Sequence, residues 1–308
     1  MPKPVITVQV PATVANVVCA FDVMGLCLEE PFDELSLELS DKKEIIIEHL
    51  DDFNLPTDPN QNICGVVLKA LMNQYHDNIG FRLKIKKNIM PGSGLGSSAA
   101  SAAGVAVAAN YLLNHYFNKE QLLEFALEGE ALASGTKHAD NIAPIIYGGI
   151  CLITQQSPLE IIKVNYPELY VAIIHPQIEI KTMDARKILK QSISLKTAVN
   201  QWGKIAGLVV GLEQKNYDII RKNLIDYVIE PQRSILIPGL TEFKSQAINI
   251  GALGGGISGS GPAIFMLCES KKIASNVAQL GKNYFSTFGI TCLTYTSSIN
   301  PMGVKFLK

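Results

Sequence analysis

The sequence predicts an α+β chain in two parts. Three observations lead there. The chain has 308 residues, about twice the length of a common single domain. Alternating apolar stretches and helical stripes follow one another in both halves, without the even strand–helix–strand spacing of a doubly wound sheet. A polar, proline-containing stretch at 155–158 separates the two runs, so 1–155 and 156–308 are the expected domains.

The elements follow in order. Ile6, Val8 and Val10 share one face of a strand over 5–10, and 11–22 reads as an irregular loop. Strands are expected at 35–39 and 45–48. Val67, Leu68, Leu71 and Tyr75 form a helical stripe over 64–75. Phe81, Leu83 and Ile85 alternate with Arg82, Lys84 and Lys86 in a half-exposed strand. A glycine-serine loop at 91–98 leads into an alanine-rich helix to about 116, whose methyl-covered surface must pack tightly. A helix follows from 118 or 119 to about 133, then a short strand over 150–154. The second half opens with strands at 160–164 and 169–175. Three helical stretches lie between 183 and 249, then a second glycine cluster at 251–261, a strand over 263–268, a helix over 271–285 and a strand over 290–296.

Composition excludes several function classes. Lys and Arg number 27 against 28 Asp and Glu, for a net charge of −1, so nucleic acid is not expected as a partner. No apolar run approaches the ~20 residues of a membrane helix, and the first ten residues lack the pattern of a secretory leader. No membrane partner and a cytoplasmic location are therefore expected. Six cysteines occur singly, with no CxxC and no histidine at zinc-ligand spacing, and read as small buried hydrophobes in a reducing compartment.

The chemistry concentrates in the run Pro91, Gly92, Ser93, Gly94, Leu95, Gly96, Ser97, Ser98, Ala99, Ala100, Ser101. It follows a strand and opens a helix. Glycines let the backbone approach a ligand closely, and the first amides of a helix lack internal partners and carry the positive end of its dipole. Together they make a cradle for a di- or triphosphate. The loop has no lysine for a Walker A motif, and it reads G-x-G-x-G rather than the dinucleotide-binding G-x-G-x-x-G. Gly254, Gly256 and Gly259 have the latter spacing, but Pro262 and a strand follow where a helix should open. No G-x-S-x-G nucleophile elbow occurs. The alternative without a ligand is a serine N-cap on a packed alanine helix.

The stretch 91–100 resembles the second motif of the GHMP kinase superfamily. Val10-Pro11-Ala12-Thr13-Val14-Ala15-Asn16 with Phe21-Asp22-Val23-Met24-Gly25-Leu26 resembles its first motif, and the run from Gly254 to Pro262 its third. Within the superfamily the chain is most similar to the homoserine kinase family. That likeness is carried by 138–144, Gly148-Gly149, Asp184-Ala185-Arg186, Glu230-Pro231-Gln232-Arg233 and Ile237-Pro238-Gly239. It departs from that family at Val18-Cys19-Ala20, where Gly-Pro-Gly is usual, which stiffens the loop and bears on the acceptor pocket.

The resemblance implies a ribosomal-S5-like N-terminal domain, a ferredoxin-like C-terminal domain and a cleft between them. It implies ATP as co-substrate, Mg2+, L-homoserine or a similar small molecule as acceptor, and a homodimer. Phosphoryl transfer is mostly positioning and charge stabilisation. Ser98 and Glu130 match the magnesium positions, and hard oxygens suit that ion. Arg186 and Arg233 match a carboxylate clamp. Asp22 is matched to the ammonium, and Asn16 and Asn141 to the acceptor hydroxyl. An amide takes no proton at neutral pH, so direct transfer is expected, with Asp140 the nearest candidate base. His138 reads as structural. Asn62 and Lys87 are expected to line the nucleotide pocket. The competing readings are a relative acting on another small carboxylated alcohol, and a non-catalytic nucleotide-binding regulator.

Overall fold

The computed structural model describes residues 4–135, 138–180 and 182–307. Its strands form one sheet of seven and one of four, in keeping with an α+β chain.

Strand β1 (Val5–Ala15) buries Val8, Val10, Ala12 and Val14 completely. It runs through 11–15, which the sequence leaves as loop. Pro11 sits at a register shift against the neighbouring strand, where a residue without an amide hydrogen is tolerated. Strand β2 (Met24–Ser40) is also far longer than its expected 35–39. One edge pairs with β1. The other is shared between β4 (Gly80–Lys86), along residues 34–40, and β5 (Ile150–Gln156), along 24–26. Strand β3 (Ile45–His49) lies parallel to β4. Strand β6 (Leu159–Val164) pairs with β5, so the polar stretch at 155–158 is a hairpin turn inside the first sheet rather than a break in the chain. The chain leaves this sheet after Val164 and returns at its far end, where β11 (Lys305–Leu307) pairs with β1.

The second sheet has the order β10-β7-β9-β8 and is antiparallel throughout. Its strands are β7 (Tyr170–Pro176), β8 (Gly254–Ile257), β9 (Ile264–Cys268) and β10 (Cys292–Ser298). The second glycine cluster thus begins as a strand.

Helices α1 (Ile63–Gln74), α2 (Ser97–Leu112), α3 (Lys119–Ser134) and α4 (Ala139–Tyr147) pack on one another, with α2 and α4 against β1 and β2. Helix α2 is buried nearly all round, as its alanines require. A side chain at Gly104 would lie 2.4 Å from Val10. Asn118 and Gln121 close a capping box at the start of α3. Helix α4 was not legible, being short and carrying Pro144 inside it.

Between 183 and 249 the sequence suggests three helical stretches. The described residues hold α5 (Thr182–Lys187), α6 (Leu195–Glu213), α7 (Tyr217–Asn223), α8 (Glu230–Arg233), a 3₁₀ turn and α9 (Leu240–Asn249). The last helix, α10 (Lys271–Ser286), lies on β7, β9 and β10.

Alternation along β7 sends Val171 and Ile173 into the large core of the first sheet and its helices. Ala172 and Ile174 point into a smaller core with Phe243, Met266 and Phe285. The second sheet is therefore apolar on both faces. Among the described residues no helix is long and apolar enough to cross a membrane. All six cysteines are free; five are buried and Cys292 is half-buried. Burial pushes the thiols of Cys19, Cys64, Cys151 and Cys268 up to about 12, which makes them inert.

Candidate active site

Gly92, Gly94 and Gly96 all have positive φ, at 75°, 83° and 69°. Gly96 is the N-cap of α2, in the left-handed conformation, and no side chain caps this helix. Ser97 Oγ instead donates to the Ile89 carbonyl at 2.9 Å. The serine-cap alternative is therefore not what the helix adopts, and among the described residues no side-chain cap closes its start. A Cβ at Gly96 would lie 2.1 Å from Thr13 Oγ1, and one at Gly94 2.5 Å from the Ser258 carbonyl. Both glycines are forced by conformation and by space. The second glycine cluster holds the loop in place. Ser258 Oγ donates to the Gly94 carbonyl at 2.7 Å and the Ala263 amide to the Ser93 carbonyl at 3.0 Å.

Pro91, Gly92, Gly94, Gly96, Ser97, Ser98 and Ser101 line a cleft of about 370 Å³. Ser93, Leu95, Ala99 and Ala100 do not. They are buried behind the loop and support it by packing. Asn62 is likewise absent from the cleft wall. Its side chain caps α1 through the Cys64 amide (2.9 Å) and donates to the Pro56 carbonyl (2.6 Å), and its neighbours Leu55 and Ile63 supply the apolar lining. Lys87 does reach the cleft, but its ammonium is committed. It pairs with buried Asp33 and donates to the Ser97 carbonyl (2.8 Å) and Ser101 Oγ (3.0 Å). It braces the start of α2 from below, with its charge already matched.

Glu130, on α3, lines the same cleft and is only 5% exposed. A buried carboxylate and the Ser98 hydroxyl beside an uncapped helix start are two hard oxygen donors, the number Mg2+ usually takes from protein when phosphates and water supply the rest. No group of three or more His, Cys, Asp or Glu side chains able to hold a metal occurs among the described residues.

The other end of the cleft is built by Asn16, Phe21, Asp22, His138, Asp140, Asn141, Arg186 and Arg233. Asn16 has φ 71°. Its Oδ1 accepts the Asp22 amide (3.1 Å) and its Nδ2 donates to the Gly259 carbonyl (3.0 Å). Arg186 Nη2 donates to both Asp22 oxygens, at 2.9 and 3.1 Å, and to His138 Nε2. The sequence assigns Asp22 and Arg186 to opposite charges of a ligand; here they face and bond each other. Arg233 is 3% exposed and donates to the carbonyls of Ala185 and Gly259, both at 2.9 Å. Both guanidinium groups lie over the Phe21 ring, 5.6 and 5.3 Å from its centroid, a contact the sequence did not announce. Asn141 Oδ1 accepts from Thr13 Oγ1 at 2.7 Å, and the residue lines the cleft. Thr13 was also missed, since a buried threonine in a strand carries no sequence signal of its own.

Environment sets the charge states of three groups here. Burial, reinforced by the charges of Asp22 and Glu130, pushes the Asp140 carboxyl up to about 7, although the Asn16 amide bonds to it. Burial, then the neighbouring Arg186 cation, lowers His138, so it is a neutral acceptor for that arginine. Burial and Arg186 also lower Arg233, which remains a cation as arginines do. Two guanidinium groups, Arg186 and Arg233, thus flank the Asp22 carboxyl group at this end of the cleft.

An anion cradle facing a charged small-molecule pocket across one cleft is the layout of a small-molecule kinase. The family models agree: GHMP kinases N terminal domain matches residues 62–149 and GHMP kinases C terminal matches 208–285. The homoserine kinase of Chlorobium phaeobacteroides is 42% identical over 287 residues, covering 89% of this chain and 90% of that protein. The homoserine kinase of Methanocella arvoryzae is 38% identical over 98% of this chain and 97% of that protein. The crystal structure of homoserine kinase from Cytophaga hutchinsonii superposes with a TM-score of 0.95 at 42% identity, covering 100% of this chain and 98% of that one. The crystal structure of L. major mevalonate kinase, at 15% identity and a TM-score of 0.73, shares the fold. The chain belongs to the homoserine kinase family of the GHMP kinases.

Proposed function

We propose that this protein transfers the γ-phosphoryl group of ATP to the side-chain hydroxyl of L-homoserine, giving O-phospho-L-homoserine. The observation that carries this reading is the charge pattern at the acceptor end. Arg186, Arg233 and Asp22 converge beside Asn141, within one cleft of the uncapped start of α2. An amino acid offers a carboxylate to the two arginines and an ammonium to Asp22, exchanging the Asp22–Arg186 contact for two contacts to ligand. Its hydroxyl then extends toward Asn16, Asn141 and Asp140.

The roles follow from the donors present. The backbone amides at Gly94–Ser98 hold the phosphates, with Leu55 and Ile63 against the base. Ser98 and Glu130 would hold Mg2+, which neutralises charge on the phosphate oxygens. Asn141 donates from Nδ2 to the acceptor oxygen, because Thr13 occupies its carbonyl. Asp140, with a carboxyl near 7, is deprotonated in part at neutral pH and takes the hydroxyl proton as the phosphoryl group arrives. This goes beyond the direct transfer expected from sequence, where Asp140 was a lesser alternative. A loose transition state asks for that proton late, so a weak base suffices.

ADP release measured over a panel of alcohols tests the reading: L-homoserine, L-serine, mevalonate and 3-amino-1-propanol, which is homoserine without its carboxylate. L-homoserine should exceed the others in kcat/KM by on the order of 10²-fold. Preference for mevalonate, or ATP binding without turnover of any of them, would overturn it.

A further inference from the structure

Gln201 lies on α6, outside the cleft, and is 7% exposed. Its Nε2 donates to the Cys19 carbonyl at 2.7 Å and to Asp226 Oδ1 at 2.9 Å. Its Oε1 accepts the Tyr227 amide at 2.8 Å. A buried amide using both its donors and its carbonyl has one orientation.

Each partner leads to a different wall of the acceptor pocket. Cys19 belongs to the loop that carries Asn16, Phe21 and Asp22. That loop is held in an unfavourable shape: φ is 71° at Asn16, 35° at Val17 and 66° at Val18. Positive φ at a β-branched residue is unfavourable and persists only where the surroundings hold it. The Gln201 bond to Cys19 is one such tie, and the Cys19 Sγ contact to the Asn223 carbonyl at 3.5 Å is another. Asp226, the second partner, accepts the amides of Val228, Ile229 and Glu230 at 2.7–3.2 Å. It so fixes the entry to α8, whose last residue is Arg233. The two walls meet at the Gly259 carbonyl, which accepts from Asn16 Nδ2 and Arg233 Nη1 together.

We infer that Gln201 is a positioning residue of the acceptor pocket: its amide ties the 16–22 loop to the α8 turn and so sets the spacing between Asn16 and Asp22 on one side and Arg233 on the other. The inference rests on the proposed function, and it assigns discrimination of acceptor length to a side chain that touches no ligand. The strained Val17-Val18 backbone makes the coupling necessary, because a loop in this shape returns to an extended form once its ties are cut.

The test is Gln201→Met, which keeps length and removes every hydrogen bond, read by KM for each substrate. KM for L-homoserine should rise by about tenfold or more and the preference over L-serine should shrink, as three buried hydrogen bonds are lost. KM for ATP should stay within about twofold, since the phosphate cradle hangs on other contacts. An unchanged homoserine KM in folded Q201M, or equal losses for both substrates, overturns the inference. Should Q201M not fold, hydrogen exchange on the natural protein decides. L-homoserine, and not a non-hydrolysable ATP analogue, should slow the amides of 17–20 and 226–230 together, and protection of only one segment overturns it. Absence of homoserine turnover in the natural protein is a different outcome, which removes the proposed function first.

Discussion

Asp140→Asn should make the protein both more stable and nearly inactive. The Asp140 carboxyl stands at about 7 against an ordinary 3.8, with burial as the first cause and the charges of Asp22 and Glu130 behind it. That difference of about three units corresponds to roughly 4 kcal/mol of unfavourable ionisation at pH 8. The sign follows from proton counting. Between pH 4 and 7 the folded protein holds a proton that the unfolded chain has released, so stability falls as pH rises through that window and levels off above 7. An asparagine carries no charge, but its amide hydrogens must find partners in a buried site, at about 1–3 kcal/mol. The net gain at pH 8 is then about 1–3 kcal/mol, and at pH 5 the variant has no advantage. Urea unfolding of both proteins at pH 5 and pH 8 measures this. In the same protein kcat should fall by about 10²- to 10⁴-fold, as expected when a general base is lost. The natural protein's kcat/KM should decline tenfold per unit below pH 7. A variant no more stable than the natural protein at pH 8 would refute the buried charge, and one keeping kcat within threefold would refute the base.

The other predictions concern the metal and the acceptor. Glu130→Ala should lower kcat by on the order of 10²-fold or more and raise the Mg2+ concentration needed for half-maximal rate; near-normal kcat at saturating Mg2+ would show that Glu130 is not a ligand. Arg186→Ala should weaken use of L-homoserine by roughly 10- to 100-fold, the worth of a charge-assisted contact of about 1.5–3 kcal/mol. The same variant should lose little further activity toward 3-amino-1-propanol, which offers no carboxylate, and equal losses on both compounds would mean that Arg186 positions something else.

Periodicity and motif spelling made a good share of this legible, and the failures have physical causes. The glycine-serine loop was clear because three alternating glycines between a strand and an alanine-rich helix are a local spelling. Strands β1 and β2 ran past their expected ends because pairing with a neighbour, rather than local alternation, keeps 11–15 and 24–34 extended. The turn at 155–158 looked like a boundary because hairpin turns and linkers draw on the same residues. Asn62 was misread for a similar reason, since capping and ligand binding both use a short amide side chain. The Phe21 platform under two arginines, the Thr13–Asn141 bond and the reach of Gln201 to Cys19 join residues 128 to 212 positions apart, and no local pattern encodes them.

The two-sided burial of β7 has a mechanical consequence. One of its faces belongs to the core beneath the phosphate loop, and the other to the core beneath α9 and α10. The backbone passes from the first sheet to the second after β6 and comes back before β11, so two crossings tie the sheets as well. Swinging one half away from the other would expose to water a face of β7 that the large core buries. The two halves should therefore melt together in a single transition, read as agreement between calorimetric and van't Hoff enthalpies.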